Sequence, residues 1–254
     1  MTDLQKASLW KRISAALFDF IMLVMLVVGA VTGFSAAFDY DGYVSKESAA
    51  YERFSAAYDV EIPLTESQFQ KLTEEQQQRY LEAVKAMNND AEFVRTYSMT
   101  RQLPLLFITF GVLFGILILE VTVPLMFGNG QTLGKKIFGI ALMRTDGIKM
   151  STLQLFVRSV LGKFAVELMI PIFIFINLYF LGNISIVGIA VLAFLLIGQI
   201  ICLVATRTLS LLHDVMACTV AVDMASQMIF ATKEEQLEYI KKLHAQEAAD
   251  AVYK

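Results

Sequence analysis

Charge is scarce in this chain. Asp, Glu, Lys and Arg make up 18% of its 254 residues, against ~25% in soluble domains, while 56% are hydrophobic. That balance excludes an ordinary water-soluble globule. There are only two cysteines, Cys202 and Cys218, both in apolar segments, which points to small buried hydrophobes rather than a disulfide framework. The two histidines, His213 and His244, stand apart from any cysteine cluster, so no metal-ligand spacing is present. A phosphate-binding glycine loop, a nucleophile elbow and a basic patch interleaved with aromatics are all lacking. We therefore expect no enzyme, no cofactor, no metal and no nucleic-acid partner.

What the chain does have is apolar sequence in long runs. Spanning a hydrocarbon core ~30 Å thick takes ~20 apolar residues. Four segments are long enough: residues 13–38, 103–127, 164–181 and 184–205. The last two are separated by little more than Gly182-Asn183, a tight turn between antiparallel helices. The third is near the lower length limit and contains Pro171, which predicts a kink.

Lys and Arg set the orientation. Lys6, Lys11 and Arg12 precede the first run; Lys135, Lys136, Arg144, Lys149, Arg158 and Lys163 separate the second from the third; Arg207, Lys233, Lys241, Lys242 and Lys254 follow the fourth. With four spans all of these fall on one side, and the acidic segment 39–102 falls on the other. Both termini are expected to be cytoplasmic and the acidic segment external. Lys11-Arg12, the apolar run and Ser35-Ala36-Ala37 also fit a cleaved signal peptide. The run is long for that role and Asp19 is out of place in it, so we read it as a retained helix.

The expected organisation is an N-terminus and first transmembrane helix over 1–38, an external helical insertion over 39–102 and a second transmembrane helix over 103–127. A cytoplasmic loop then covers 128–163, the third and fourth helices 164–205, and a cytoplasmic amphipathic segment with a charged helix 206–254. Within the insertion, Thr65-x-x-Gln68 and Thr73-x-x-Gln76 are capping boxes, and Leu81, Val84 and Met87 form a narrow apolar stripe ended by Asn88-Asn89-Asp90. Tyr40, Tyr43, Tyr51, Tyr58 and Tyr80 suit a surface that rests at the membrane interface or packs on itself. Asp39-Tyr40-Asp41-Gly42 opens like a calcium loop, but no glutamate closes it, and we read a turn. In the cytoplasmic loop, Asp146-Gly147 between two apolar runs predicts a hairpin. Thr219-Val220-Ala221-Val222-Asp223 is also strand-like, so a small sheet under the helices is expected. The fold class is thus an all-α integral membrane protein with four transmembrane helices, a small cytoplasmic β-hairpin or sheet element and an external helical insertion.

The informative positions are the charges inside apolar sequence. Asp19 is the sole ionisable residue of the first run, at a cost of at least ~2.5–3.5 kcal/mol on insertion scales. Arg12 lies two helical turns before it on the same face. Glu120 lies at similar depth in the second run, with no basic residue within a turn on its own helix. Two facing carboxylates would raise each other's proton affinity and make a site exchanging H⁺ for a small cation. The structural alternatives are an Arg12–Asp19 pair or an Arg12 that snorkels, a Glu167–Lys163 pair one turn apart, and His213-Asp214 as an interfacial cap. Gly29-x-x-x-Gly33 and Gly111-x-x-x-Gly115 allow close helix approach, within the bundle or in a homo-oligomer.

Taken in order, these residues resemble the RDD family of bacterial membrane proteins. The first-helix pattern Arg-x-x-Ala…Asp is matched by Arg12, Ala15 and Asp19, and the loop pattern Gly-x-Thr-x-Gly-Lys by Gly130, Thr132, Gly134 and Lys135. The Asp146-Gly147 hairpin is similar, an arginine, Arg158, enters the next helix, and a late His-Asp-x-x-Ala-x-Thr is matched by His213, Asp214, Ala217 and Thr219. The resemblance covers residues 8 to 38 and 103 to 223 and leaves the long insertion unexplained. It implies a multi-pass protein of the bacterial cell membrane, with Arg12, Asp19 and Asp214 as its signature charges; some members are proposed to act in transport, including Na⁺/H⁺ antiport. Glu120 is outside that pattern. We expect a transporter or cation/proton exchanger in which Arg12, Asp19, Asp214 and Glu120 form a charge network or ion path. Its partners would be the lipid bilayer and small cations or protons. The alternative is a membrane scaffold or regulatory subunit whose insertion binds a partner protein.

Overall fold

The computed structural model describes residues 4–182 and 185–252. Helix α1 (Leu9–Ala37) is followed by α2 (Tyr40–Tyr58), the short α3 (Glu66–Phe69), α4 (Glu74–Asn89) and α5 (Ala91–Ile116). A π-helical segment, Leu117–Thr122, carries α5 into α6 (Val123–Phe127). Next come α7 (Leu133–Ile137), strand β1 (Ile140–Arg144) and α8 (Thr152–Phe156). A longer π-helical segment, Val157–Met169, joins α8 to α9 (Ile170–Leu181). Then follow α10 (Ile186–Ala205), α11 (Leu212–Met216), strand β2 (Thr219–Asp223) and α12 (Lys233–Val252). Four helical stretches are long and apolar enough to cross a membrane: Leu9–Ala37, Ala91–Phe127, Thr152–Leu178 and Ile186–Ala205. The all-α membrane class with a small sheet holds.

The second and third helical stretches start about three turns before the apolar sequence does, because polar residues with helix-starting chemistry precede it. Asp90 Oδ1 accepts from Phe93 N at 2.9 Å and starts α5. Ser151 and Gln154 form a capping box ahead of the third. The kink expected at Pro171 is displaced. Pro171 sits in the first turn of α9, directly after the π-helical segment, and the departure from α-geometry lies in that segment, Val157–Met169. Of the turn expected at Gly182-Asn183, Gly182 closes α9 with φ 69°; Asn183 lies outside the described residues, as does Ile184 at the expected start of the fourth run.

The chain forms two compact units. One is made of the chain up to Leu26 together with Val112 onward, the other of Val27–Gly111. In the first, β1 and β2 pair antiparallel, with Leu142 opposite Ala221. Strand alternation sends Ile140, Leu142 and Ala221 to one face, packed with Ala7 and Ala15, and Ala141, Met143, Val220 and Val222 to the other. Both faces are buried, which is why this two-stranded element reads as nearly continuous apolar sequence. The hairpin at Asp146-Gly147 is reduced. The turn forms, but its return arm makes a single bridge, Met143↔Lys149, and Lys149 N then donates to Phe230 O at 2.8 Å. The full ladder partner of β1 is the β-branched segment Thr219–Asp223. Cys218 is also a correction: it is exposed, in the turn before β2 with φ 53°.

The Val27–Gly111 unit has its own core of Ile62, Ala83, Met87 and Phe93, against which Tyr51, Tyr58 and Tyr80 pack. These tyrosines therefore bury against their own unit. Both capping boxes form: Gln68 Oε1 accepts from Thr65 N at 2.9 Å, and Gln76 N donates to Thr73 Oγ1 at 3.3 Å. Of the apolar stripe expected on α4, Met87 is buried and Val84 half-buried, but Leu81 is 59% exposed and Ala83 is buried in its stead. Phe93 and Phe54 draw the small Ala83 inward, leaving the larger leucine outside. A Cβ on Gly111 would stand 3.2 Å from Val31, a close helix approach, whereas one on Gly29 or Gly33 would meet nothing within 4 Å.

A buried charge network as the candidate site

The first unit gathers its ionisable residues around the sheet and two π-helical segments. Gly130 turns the chain with φ 69°. Thr132 then caps α7: its hydroxyl accepts from Lys135 N at 3.3 Å and from Lys135 Nζ at 3.1 Å, while donating to Asp19 Oδ2. Gly134 N donates to Asp19 Oδ1 at 2.8 Å. A Cβ on Gly134 would lie 2.3 Å from Ala15 O, so glycine at this position lets the loop touch α1. The Gly-x-Thr-x-Gly-Lys spacing thus builds a receptor for one carboxylate, Asp19.

Arg12 does not pair with Asp19. It reaches Asp214 Oδ2 at 3.8 Å and donates to Thr208 O at 3.2 Å. Asp19 and Glu120 do come to one place, but with a cation between them: Lys135 Nζ stands 3.7 Å from Asp19 and 3.9 Å from Glu120. The facing carboxylate pair is thereby overturned, because Glu120 is held by three cations. Arg158 Nη1 donates to it at 3.2 Å, Lys163 Nζ bonds its other oxygen, and Lys135 is the third. The i→i+5 geometry of a π-helix presents Arg158 and Lys163, five residues apart, to the same acid. Ser159 Oγ donates to the Glu120 carbonyl at 2.9 Å.

Arg158, 2% exposed, is the hub. Its Nε donates to Asp214 Oδ1 at 2.8 Å, and Nη2 lies 3.0 Å from His213 Nε2. An arginine N–H only donates, so His213 Nε2 is the acceptor and the ring is neutral with its proton on Nδ1. That proton faces Glu167 at 2.9 Å. Glu167 pairs with His213 and with Gln199 (2.6 Å), not with Lys163 as its spacing suggested. Gly162 permits this approach, since a Cβ there would lie 2.6 Å from His213 Cβ. Thr219 Oγ1 donates to Asp214 at 3.3 Å, and the Ala217 carbonyl accepts from Gln154 Nε2 at 3.1 Å.

Three groups of the network that lie outside the spans, Lys135, His213 and Asp214, shift with identifiable causes. Burial pushes Lys135 down to about 8, with the nearby carboxylates Glu120 and Asp19 opposing. Burial likewise lowers His213, opposed by Asp214 and assisted by Arg158. Burial alone would raise Asp214, but Arg158, reinforced by Arg12, holds it well below the usual carboxylate range.

A cavity of about 350 Å³ opens on this network. Its lining combines Arg12, Asp19, Glu120, Lys135, Arg158 and Lys163 with the apolar Ala16, Phe20, Leu23, Ile116, Leu119 and Leu168. The four residues expected as a charge network, Arg12, Asp19, Glu120 and Asp214, all line it; Arg12 pairs with Asp214 and not with Asp19, the partner its helical spacing suggested. Lys163, Glu167 and Gln199 complete the network. In the sequence Lys163 and Glu167 pointed only to each other, and Gln199 gave no signal beyond polarity inside an apolar helix.

Four apolar helical stretches around a buried, charge-balanced network define a multi-pass α-helical membrane protein. A model of the RDD family matches residues 6–218, and the chain belongs to that family. No curated protein and no solved structure matches it.

Proposed function

We propose that this RDD family protein is a transporter of the bacterial cell membrane, whose substrate passes through the charge-lined cavity. The observation that carries the reading is the convergence of four acids and four bases, with His213, on one cavity of about 350 Å³ among apolar helices. Ionisable groups at such depth are expensive and line substrate or proton paths by default. The reading is not enzymatic: the carboxylates of the network are taken up by cations and hydrogen-bond donors of the protein itself. The distribution of Lys and Arg supports cytoplasmic termini and an external insertion. Exchange of a metal cation at Asp19 and Glu120 is disfavoured, because Lys135, Lys163 and Arg158 already neutralise that place; proton movement through Lys135 remains. The test is solute-driven proton flux in vesicles holding the purified protein. Flux in the wild type that Asp19→Asn lacks is the expected result, and flux no greater than in protein-free vesicles would overturn the reading.

A second reading has its own observation. Val27–Gly111 is a compact unit with a separate core, which suits a module that binds a partner protein. Deleting residues 45–98 separates the two: a transporter keeps its flux, whereas a scaffold or regulatory subunit loses its complex.

A further inference from the structure

The hydrogen bonds of the network are asymmetric. The carboxylates are satisfied from within the protein. Asp19 accepts from Thr132 and Gly134, Glu120 from Lys163 and Arg158, and Glu167 from Gln199 and His213. The two cavity-lining ammonium groups are not. Lys135 is 9% exposed, and among the described residues its three donors meet one acceptor within hydrogen-bonding distance, Thr132 Oγ1. Lys163 has Glu120 alone. Because both ammoniums approach the same Glu120 carboxylate, they are neighbours, and their spare N–H donors belong to one part of the cavity. A ligand arriving there finds donors and positive charge; it finds few unsatisfied acceptors. The apolar lining includes Phe20, Leu23 and Ile116, and Phe20 and Leu23 continue the α1 face that carries Asp19. The cavity's volume lies at the small end of the ~300–1,000 Å³ range of organic-ligand sites, far more than a bare ion fills.

We propose that this cavity binds an amphiphile, its phosphate or carboxylate head on Lys135 and Lys163 and its aliphatic part against Phe20, Leu23 and Ile116. The inference rests on the transporter reading and names its substrate class. The same chemistry is offered by the head of an anionic lipid and by a soluble organic anion.

The test uses the full chain in nanodiscs of phosphatidylcholine, with octyl phosphate and octyltrimethylammonium as probes and thermal unfolding as readout. Octyl phosphate is expected to raise the Tm and octyltrimethylammonium to leave it unchanged. In Lys163→Gln octyl phosphate should bind about tenfold more weakly or worse, as loss of a charge-assisted hydrogen bond dictates. Lys135→Gln should behave alike, with Lys163→Gln keeping the test decisive if Lys135→Gln misfolds through its Thr132 and Asp19 contacts. Stabilisation by octyltrimethylammonium, or an octyl phosphate effect unchanged in Lys163→Gln, would overturn the proposal. Nanodiscs containing phosphatidylglycerol separate the sources: a raised Tm that abolishes the octyl phosphate response assigns the site to a lipid head, and an undiminished response assigns it to a soluble anion. Vesicle flux without octyl phosphate binding sinks this inference alone, whereas binding without flux sinks the transporter reading and leaves the ligand class standing.

Discussion

Asp19 and Gly134 meet carboxylate to backbone. The Gly134 N–H donates to Asp19 Oδ1 at 2.8 Å, and a Cβ on Gly134 would stand 2.3 Å from the Ala15 carbonyl oxygen and 2.9 Å from Asp19 Oδ1. The Ala15 oxygen is backbone, and Asp19 is held in place by Thr132 and Gly134. Gly134→Ala must therefore push α7 off α1 and stretch the bonds that hold Asp19, a cost of about 1–3 kcal/mol for overpacking, with the weakened hydrogen bonds added to it. Gly33→Ala is the matched control, because a Cβ there meets nothing within 4 Å and alanine favours the helix. Thermal unfolding should show a lower Tm for Gly134→Ala and no loss for Gly33→Ala. Equal behaviour of the two would remove the close approach as the reason for glycine.

Arg158 holds Glu120, Asp214 and His213 at once. Arg158→Gln leaves both carboxylates short of a buried cation, and breaking such a pair costs about 3–5 kcal/mol. Arg158→Lys should restore little of this, since a single ammonium cannot reproduce three donors in a planar fork. Denaturant unfolding of both variants in the same detergent measures the effect. A lysine variant as stable as the wild type would show that charge alone, without the fork, satisfies the network.

Composition and periodicity located the helices because burying apolar faces is a local property of sequence. The caps at Thr65 and Thr73 were legible for the same reason, since they act across three residues. Pairing was not. Arg12 and Asp19 share a helix face, yet Asp19 is taken by a loop more than a hundred residues later and Arg12 by Asp214. Likewise Lys163 and Glu167, one turn apart, each find a better partner on another element, Glu120 and His213. A further reason is the π-helical segments, which rotate Glu120, Arg158 and Lys163 away from the positions that a 3.6-residue period assigns. The stripe failed at Leu81 on a smaller scale, because which of two nearby residues faces a core depends on the partner's shape.

Phe93 anchors the Val27–Gly111 unit. It is 5% exposed and packs edge-on against Tyr51 and Phe54, with ring centroids 5.5 and 6.4 Å away. Phe93→Ala removes the centre of a small core, a change that costs about 3–5 kcal/mol at buried aromatics. Hydrogen exchange is the measurement that localises it. Amides of α2 and α4 should lose protection, while those of β1 and β2, whose cores contain no residue of this unit, keep theirs. Uniform loss in both units would contradict a separate core.

His213 makes the fold sensitive to mild acid. Its Nε2 accepts from Arg158 and its Nδ1 proton faces Glu167; Asp214 is beside it on its own helix, and Lys163 adds positive charge from the π-helical segment. Protonation would put an N–H on Nε2 against a group that only donates, and burial opposes the charged ring. The folded-state pKa is thus lower than the ordinary value of ~6.5. As pH falls through ~6.5 the unfolded chain takes up a proton that the native state refuses, so stability drops, by at most ~1.4 kcal/mol per pH unit for one proton. Asp214, held well below the carboxylate range, titrates at more acid pH and leaves the window below ~6.5 to the histidine. The expected result is a Tm that falls between pH 7 and 5.5 in the wild type. His213→Gln should be less stable at pH 7 but flatter over the same interval, with the exposed His244 common to both. Parallel Tm profiles in the two proteins would mean that His213 takes up its proton alike in the folded and unfolded chain and that the acid sensitivity originates elsewhere.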